Sequence, residues 1–165
     1  SRKAQMDGLT GLLNKTAVTD TISDYLNESE KDQMHALLMI DCDNFKAVND
    51  NFGHATGDEV IKYFASVLKR TFRDSDIKGR FGGDEFIVFM KNTTFDATAL
   101  RAKQLNEAIK KPYLKDGKEI KISCSIGVSY FMKDGNNFDT LFNAADDALY
   151  KAKSLGKDRF VEYRK

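Results

Sequence analysis

The run Arg80-Phe81-Gly82-Gly83-Asp84-Glu85-Phe86 lies near the middle of the chain, between two apolar, strand-like segments. Adjacent glycines in that setting predict a β-hairpin, because the primed turns need positive φ at their central residues. A hairpin at this place excludes a purely parallel sheet. It also carries two carboxylates, Asp84 and Glu85, beside bare backbone that a large polyanion can approach closely. Carboxylates repel phosphates, so the arrangement suits a hard cation set between the two. Mg²⁺ is usually held by one or two carboxylates plus substrate phosphates. The motif therefore points toward nucleotide chemistry.

The 165 residues are expected to form one domain, 1–165, with enough apolar content (41%) to bury a core. A net charge of +1 gives no basis for a DNA or RNA partner. No run approaches the roughly 18 apolar residues of a membrane span. Cys42 and Cys124 lie far apart in apolar contexts, without metal-ligand spacing, which predicts two buried free thiols in a reducing compartment. A cytoplasmic domain is expected, with membrane anchoring of the parent protein left open. The chain opens on Ser1-Arg2-Lys3 without an initiator Met, so it reads as a domain of a longer protein.

Asn14 is placed to cap a helix over 14–27, with Val18, Ile22, Tyr25 and Leu26 on one face. Residues 36–40 read as a buried strand, followed by a short helical turn from Phe45. A helix beginning near Gly57 carries Val60, Ile61, Phe64, Val67, Leu68 and Phe72 at helical spacing. After the hairpin strand 86–90, a helix over 95–110 stops before Pro112, the only proline. Residues 120–130 alternate as an extended strand in two parts. A helix over 138–152 and a strand over 159–163 close the chain. The predicted fold class is α+β: a mainly antiparallel central sheet with its crossover helices on one face, of the ferredoxin-like or polymerase-palm type.

The hairpin acids need partners, and the strand 36–40 supplies them where it runs into Asp41-Cys42-Asp43. If that strand neighbours the hairpin, Asp41 and Asp84 face one another at the sheet edge. A cation makes both charges tolerable; without one they repel. Paired acids at adjacent strand ends are how palm domains hold metals for in-line attack on an α-phosphate.

These segments resemble the GGDEF family, the diguanylate cyclases that join two GTP into cyclic di-GMP. The resemblance rests on five ordered motifs: Asp7-Gly8-Leu9-Thr10-Gly11-Leu12-Leu13-Asn14, Asp41 to Asp50, Gly53-His54-Ala55-Thr56-Gly57-Asp58, the hairpin Gly82-Gly83-Asp84-Glu85-Phe86, and Ala145 to Lys153. It implies Asp41 and Asp84 as ligands of Mg²⁺ (Mn²⁺ being the other candidate), assisted by the Cys42 backbone carbonyl. Glu85 is implied either as a second metal ligand or as the group that accepts the 3′-hydroxyl proton. Lys46, Lys153 and Lys157 are implied to hold the triphosphate, and Glu85 and Lys46 to be the catalytic residues. Where the family often carries Arg, this chain has Lys at 15 and 157, which keeps the charge and loses the bidentate fork.

The resemblance further implies Asn49 and Asp58 as guanine readers. A carboxylate can accept from guanine N1–H and N2–H₂ together, and adenine lacks both donors, so Asp58 argues for GTP over another nucleotide. Arg73-x-x-Asp76 is implied as an inhibitory site for the product, Arg101 being a candidate second arginine. The expected partners are GTP, cyclic di-GMP as product and inhibitor, a second copy in a catalytic homodimer, and an upstream sensor or dimerisation region. The competing reading is a catalytically silent GGDEF module that binds GTP or cyclic di-GMP as a receptor.

Overall fold

A computed structural model describes residues 2–165. The elements run α1 (Arg2–Gln5), α2 (Lys15–Asn27), β1 (Ala36–Cys42), α3 (Phe45–Phe52), α4 (His54–Thr71), β2 (Ile77–Gly82), β3 (Glu85–Met90), α5 (Phe95–Ile109), β4 (Tyr113–Lys115), β5 (Lys118–Ile120), β6 (Cys124–Tyr130), α6 (Phe138–Ser154) and β7 (Arg159–Glu162). Five strands form one sheet in the order β2-β3-β1-β6-β7. All its pairings are antiparallel except β6–β7. The fold is α+β and its central sheet is mainly antiparallel, as expected.

The helices cover both faces of the sheet, where the sequence reading placed them on one. Leu38, Ile40, Phe86, Val88, Ile126 and Val128 pack with α4 and α5, while Leu37, Met39, Ile87 and Phe89 pack with α2 and α6. Every residue of β1 and β6 is consequently buried. That is why β1 reads as an unbroken apolar run rather than an alternating one. The predicted strand over 120–130 is also divided. Residues 118–120 pair with β4 in a separate two-stranded ribbon, and the central sheet resumes only at Cys124. No described helix is long and apolar enough to cross a membrane.

Caps follow the sequence signals. Asn14 accepts from the Ala17 amide, and Asn137 forms a capping box with Thr140 at the start of α6. Helix α4 starts at His54, three residues before the expected start. Its first turn is entered from Gly53, whose φ of 89° suits glycine.

His35 precedes β1 and is fully buried among Tyr25, Phe89 and Phe131. Its Nδ1 accepts from the Asn92 amide at 2.9 Å, and Nε2 has no partner in the described structure. Burial, with the nearby charge of Lys91, pulls the imidazole below its ordinary range. The unfolded chain therefore takes up a proton near pH 6.5 that the folded chain refuses, so stability falls as pH drops through that value. We expect His35 to contribute a slope of at most about 1.4 kcal/mol per pH unit. The measurement is the difference in urea-unfolding stability between wild type and His35→Phe from pH 7.5 to 5.5. Equal slopes would show that His35 does not titrate in this way.

Candidate active site

The site is assembled where β1 and the β2–β3 hairpin leave the core. Asp41 lies opposite Glu85 in the antiparallel register, and the Cys42 amide donates to the Asp84 carbonyl at 3.1 Å. The expected juxtaposition of Asp41 with the hairpin acids is present. The turn differs in detail: Gly82 pairs with Glu85, so the two central residues are Gly83 and Asp84. Gly83 has φ 44°, and Gly82, at a register shift in β2, has φ 156°. The glycines thus serve one turn position and one irregularity of the strand, leaving Asp84 as the second turn residue.

Burial grades the three acids. Asp41 is only 5% exposed, Asp84 is half-buried and Glu85 is exposed. The Asp41 carboxyl is pushed up to about 6, first by burial and then by the charges of Asp84 and Glu85, against the opposing pull of Lys153. Its Oδ2 is ion-paired with the Lys153 ammonium, while Oδ1 is buried and without a partner. Burial alone would lower Lys153, yet the hydrogen bond and charge of Asp41 leave it raised. A lysine expected on phosphate thus sits on an expected metal ligand, because a desolvated carboxylate beside two further acids attracts the nearest ammonium.

Among the described residues, no three His, Cys, Asp or Glu side chains converge to hold a cation alone. The donor set nonetheless fits a hard cation completed by phosphate oxygens and water, since Asp41 keeps a buried, unpartnered oxygen facing a need for positive charge.

A cavity of about 310 Å³ opens beside these acids, lined by Asp41, Cys42, Asp84, Lys46, Lys153 and Lys157 among others. Lys46 stands in the first turn of α3, its side chain 91% exposed and paired with Asp50 at 3.0 Å. Lys157, between α6 and β7, donates to Asn44 Oδ1 at 2.9 Å. All three predicted phosphate lysines and two of the predicted acids therefore line one cavity.

The predicted guanine readers lie apart from that lining. Asn49 is on α3, and its Oδ1 is buried without a partner. It fits there because residue 57 is glycine: a Cβ on Gly57 would come within 1.9 Å of that oxygen. Asp58 is exposed in the second turn of α4, not at its start. The helix dipole acts mainly within the first turn, so it gives an acid at position 58 little structural support.

Arg73 and Asp76 are joined more tightly than an ordinary surface pair. Asp76 is buried and accepts from the Arg73 amide at 3.0 Å, from Nε at 3.3 Å and from Nη2 at 2.8 Å, while Nη2 also donates to the Lys91 carbonyl. Arg101 donates to the Thr71 carbonyl at 3.2 Å and to Gln104 Oε1 at 3.3 Å.

One contact had no counterpart in the sequence reading. Arg80 donates to the Gly83 carbonyl at 2.9 and 2.7 Å while pairing with Asp7, which also accepts from Thr10. The guanidinium fastens the opening segment to the acidic turn. Its fixed offset from the glycines was visible, but its partner lies 73 residues away.

Comparison with known proteins agrees with this geometry. Residues 4–159 match the family model described as "Diguanylate cyclase, GGDEF domain". The chain is 38% identical over 161 residues to diguanylate cyclase DgcP of Pseudomonas aeruginosa, covering 96% of this chain and 24% of that protein. It is 38% identical over 134 residues to diguanylate cyclase A of Treponema denticola, covering 81% and 36%. It is also 33% identical over 156 residues to cyclic di-GMP phosphodiesterase NbdA of P. aeruginosa, covering 94% and 20%. The chain thus spans about a third or less of the length of these relatives. Among solved structures, the coiled coil and GGDEF domain of DgcB from Caulobacter crescentus in complex with c-di-GMP superposes with a TM-score of 0.91 at 28% identity, covering 98% of this chain and 86% of that one. The sheet order, the acidic hairpin and the family match over nearly the whole length lead to one assignment: the chain belongs to the GGDEF family of diguanylate cyclase domains.

Proposed function

We propose that this chain is the catalytic domain of a diguanylate cyclase, condensing two GTP into cyclic di-GMP with release of two pyrophosphates. The observation that carries the reading is Asp41, a buried carboxylate with one unpartnered oxygen, registered against Glu85 and facing a cavity lined by three lysines. A silent fold has no reason to retain that charge.

Asp41 and Asp84, with the Cys42 carbonyl, would hold Mg²⁺ or Mn²⁺, which when bound offsets phosphate charge and favours the ionised 3′-hydroxyl. Lys46, Lys153 and Lys157 bind the triphosphate as point charges. Lys153 must then be shared between Asp41 and phosphate. Asn49 and Asp58 read the guanine edge, and Gly82 and Gly83 let the substrate approach the backbone. Glu85, exposed at the turn, either completes the metal shell or accepts the 3′-hydroxyl proton. Each 3′-oxygen forms a bond to the α-phosphorus of the other nucleotide as the bond to pyrophosphate breaks.

Each domain holds one GTP, so two copies must face one another about a two-fold axis. Catalysis is mostly positioning and electrostatics, and an attached dimerising region would raise the effective concentration. Arg73 and Asp76 form the inhibitory site for product, and cyclic di-GMP would have to open their mutual pairing in order to bind.

The test is mass-spectrometric identification of products after incubating the domain, fused to a dimerising coiled coil, with GTP and Mg²⁺. We expect cyclic di-GMP from wild type, turnover that slows when cyclic di-GMP is added, and no product from Glu85→Gln. GTP binding without product would instead favour a receptor module. That second reading draws on one observation, the matching region in relatives named as cyclic di-GMP phosphodiesterases.

A further inference from the structure

Asp43 has no role in the scheme above, yet it is a buried carboxylate, 5% exposed, two residues beyond Asp41. Three donors converge on it: Ser123 Oγ at 2.7 Å, Ser125 Oγ at 2.6 Å and the backbone amide of Asp158 at 3.0 Å. Its own amide donates to the Ser123 carbonyl at 2.9 Å. Two of the side-chain bonds hold the β6 end of the sheet. The third reaches across to the turn between α6 and β7.

That turn is unusual. Gly156, Lys157 and Asp158 have φ of 118°, 65° and 50°, three consecutive residues on the positive side. Two of them are not glycine, and such residues cost free energy that surrounding contacts must offset. The contacts are specific. The Lys157 amide donates to the Ala152 carbonyl at 3.0 Å, Asp43 accepts the Asp158 amide, and Asn44 accepts the Lys157 ammonium at 2.9 Å. Asn44 is itself left-handed, with φ 57°. Adjacent residues thus grip the same turn twice: the Asp43 carboxylate holds its backbone at Asp158, and the Asn44 side-chain oxygen holds the Lys157 ammonium.

We infer that Asp43 and Asn44 are positioning residues for Lys157. They hold a strained turn in the one conformation that presents the ammonium to the cavity beside Asp41 and Asp84. The inference rests on the reading of that cavity as the triphosphate site. A flexible lysine on a relaxed loop would lose side-chain and backbone entropy on binding phosphate; here the turn is ordered beforehand. The serines set the carboxylate's orientation, since Asp43 cannot rotate without abandoning them.

The test is a double-mutant cycle on GTP affinity, measured calorimetrically with Ca²⁺ as the divalent ion to suppress turnover. Asp43→Asn keeps the shape but offers one acceptor oxygen to three donors. We expect it to weaken GTP binding about tenfold, on the scale of one lost charge-assisted hydrogen bond. Lys157→Met should cost a similar factor, and the double variant should bind no worse than the weaker single variant. GMP binding should change less than GTP binding in every variant, a pattern that general loosening of the fold would not produce.

Should Asp43→Asn fail to fold, Asn44→Gly supplies the same cycle, because glycine accepts the left-handed conformation and removes only the acceptor for Lys157. Additive losses with Lys157→Met in the available cycle, or unchanged GTP affinity, would overturn the inference while leaving the cyclase reading intact. Absence of GTP binding by the wild-type protein would overturn both.

Discussion

Asp41→Asn is expected to abolish product formation while making the domain more stable. The two effects share one cause. At neutral pH the Asp41 carboxylate is ionised in a site that raises its titration to about 6, first through burial and then through Asp84 and Glu85. The fold therefore bears a cost for keeping that charge. Asparagine has the same shape and no charge, and Lys153, whose side chain is 40% exposed, can turn to solvent when its partner is neutralised. We expect a gain on the order of 1–2 kcal/mol, or about 2–4 °C in Tm for each kcal/mol at this chain length, measured in chelator. Cyclic di-GMP formation by the dimerised domain with Mg²⁺ should fall at least a hundredfold, roughly the loss expected when a group that stabilises transition-state charge is removed. A variant that is less stable, or one that retains turnover, would show that Asp41 is a structural acid.

The same residue shows how much the sequence disclosed. Acids at the end of an apolar run, followed by acids on a glycine turn, were enough to place Asp41 beside the hairpin, because an antiparallel register brings those positions together without long-range information. The last helix was equally legible from its spacing of Phe138, Leu141, Ala145 and Leu149. What escaped depended on tertiary partners. Nothing in the sequence indicated that Lys153 would pair with Asp41 from 112 residues away, or that Asp7 would meet Arg80. The placement of helices on both faces was available in principle, since a strand buried on both sides loses its alternation, as β1 does. The β4–β5 ribbon also had a signal. Asp116-Gly117, with φ of 50° and 77°, is the Asp-Gly turn that favours two-residue hairpins. It was obscured by the longer alternating run that follows and by strands of only three residues each.

Gly127→Ala is expected to disrupt the fold more than any other single methyl addition to the sheet. Gly127 lies in the middle of β6, paired with Met39 on one side and Val161 on the other. Helix α6 crosses directly over it. A Cβ there would stand 2.0 Å from the Ala145 carbonyl oxygen, 2.3 Å from the Leu149 amide nitrogen and 2.9 Å from the Leu149 Cα. All three are backbone atoms, so no rotamer change relieves the contact; the helix or the strand must move. Gly79 differs, because the atoms nearest a Cβ there belong to the side chain of Val18 rather than to backbone. The close approach also explains the small residues Ala144, Ala145, Ala148 and Ala152 on the buried face of α6. Lifting the helix would expose Leu141 and Leu149 and displace Lys153 from Asp41. We expect a loss of about 3 kcal/mol or more, at or beyond the upper end for an added core methyl and a large share of a typical domain's 5–15 kcal/mol. Urea denaturation of the variant measures this directly. A shift below about 1 kcal/mol would mean that α6 can ride outward at little cost. The link to the site gives a second readout: where Gly127→Ala remains folded, its GTP affinity should fall with its stability, because the helix that must move is the one that carries Lys153.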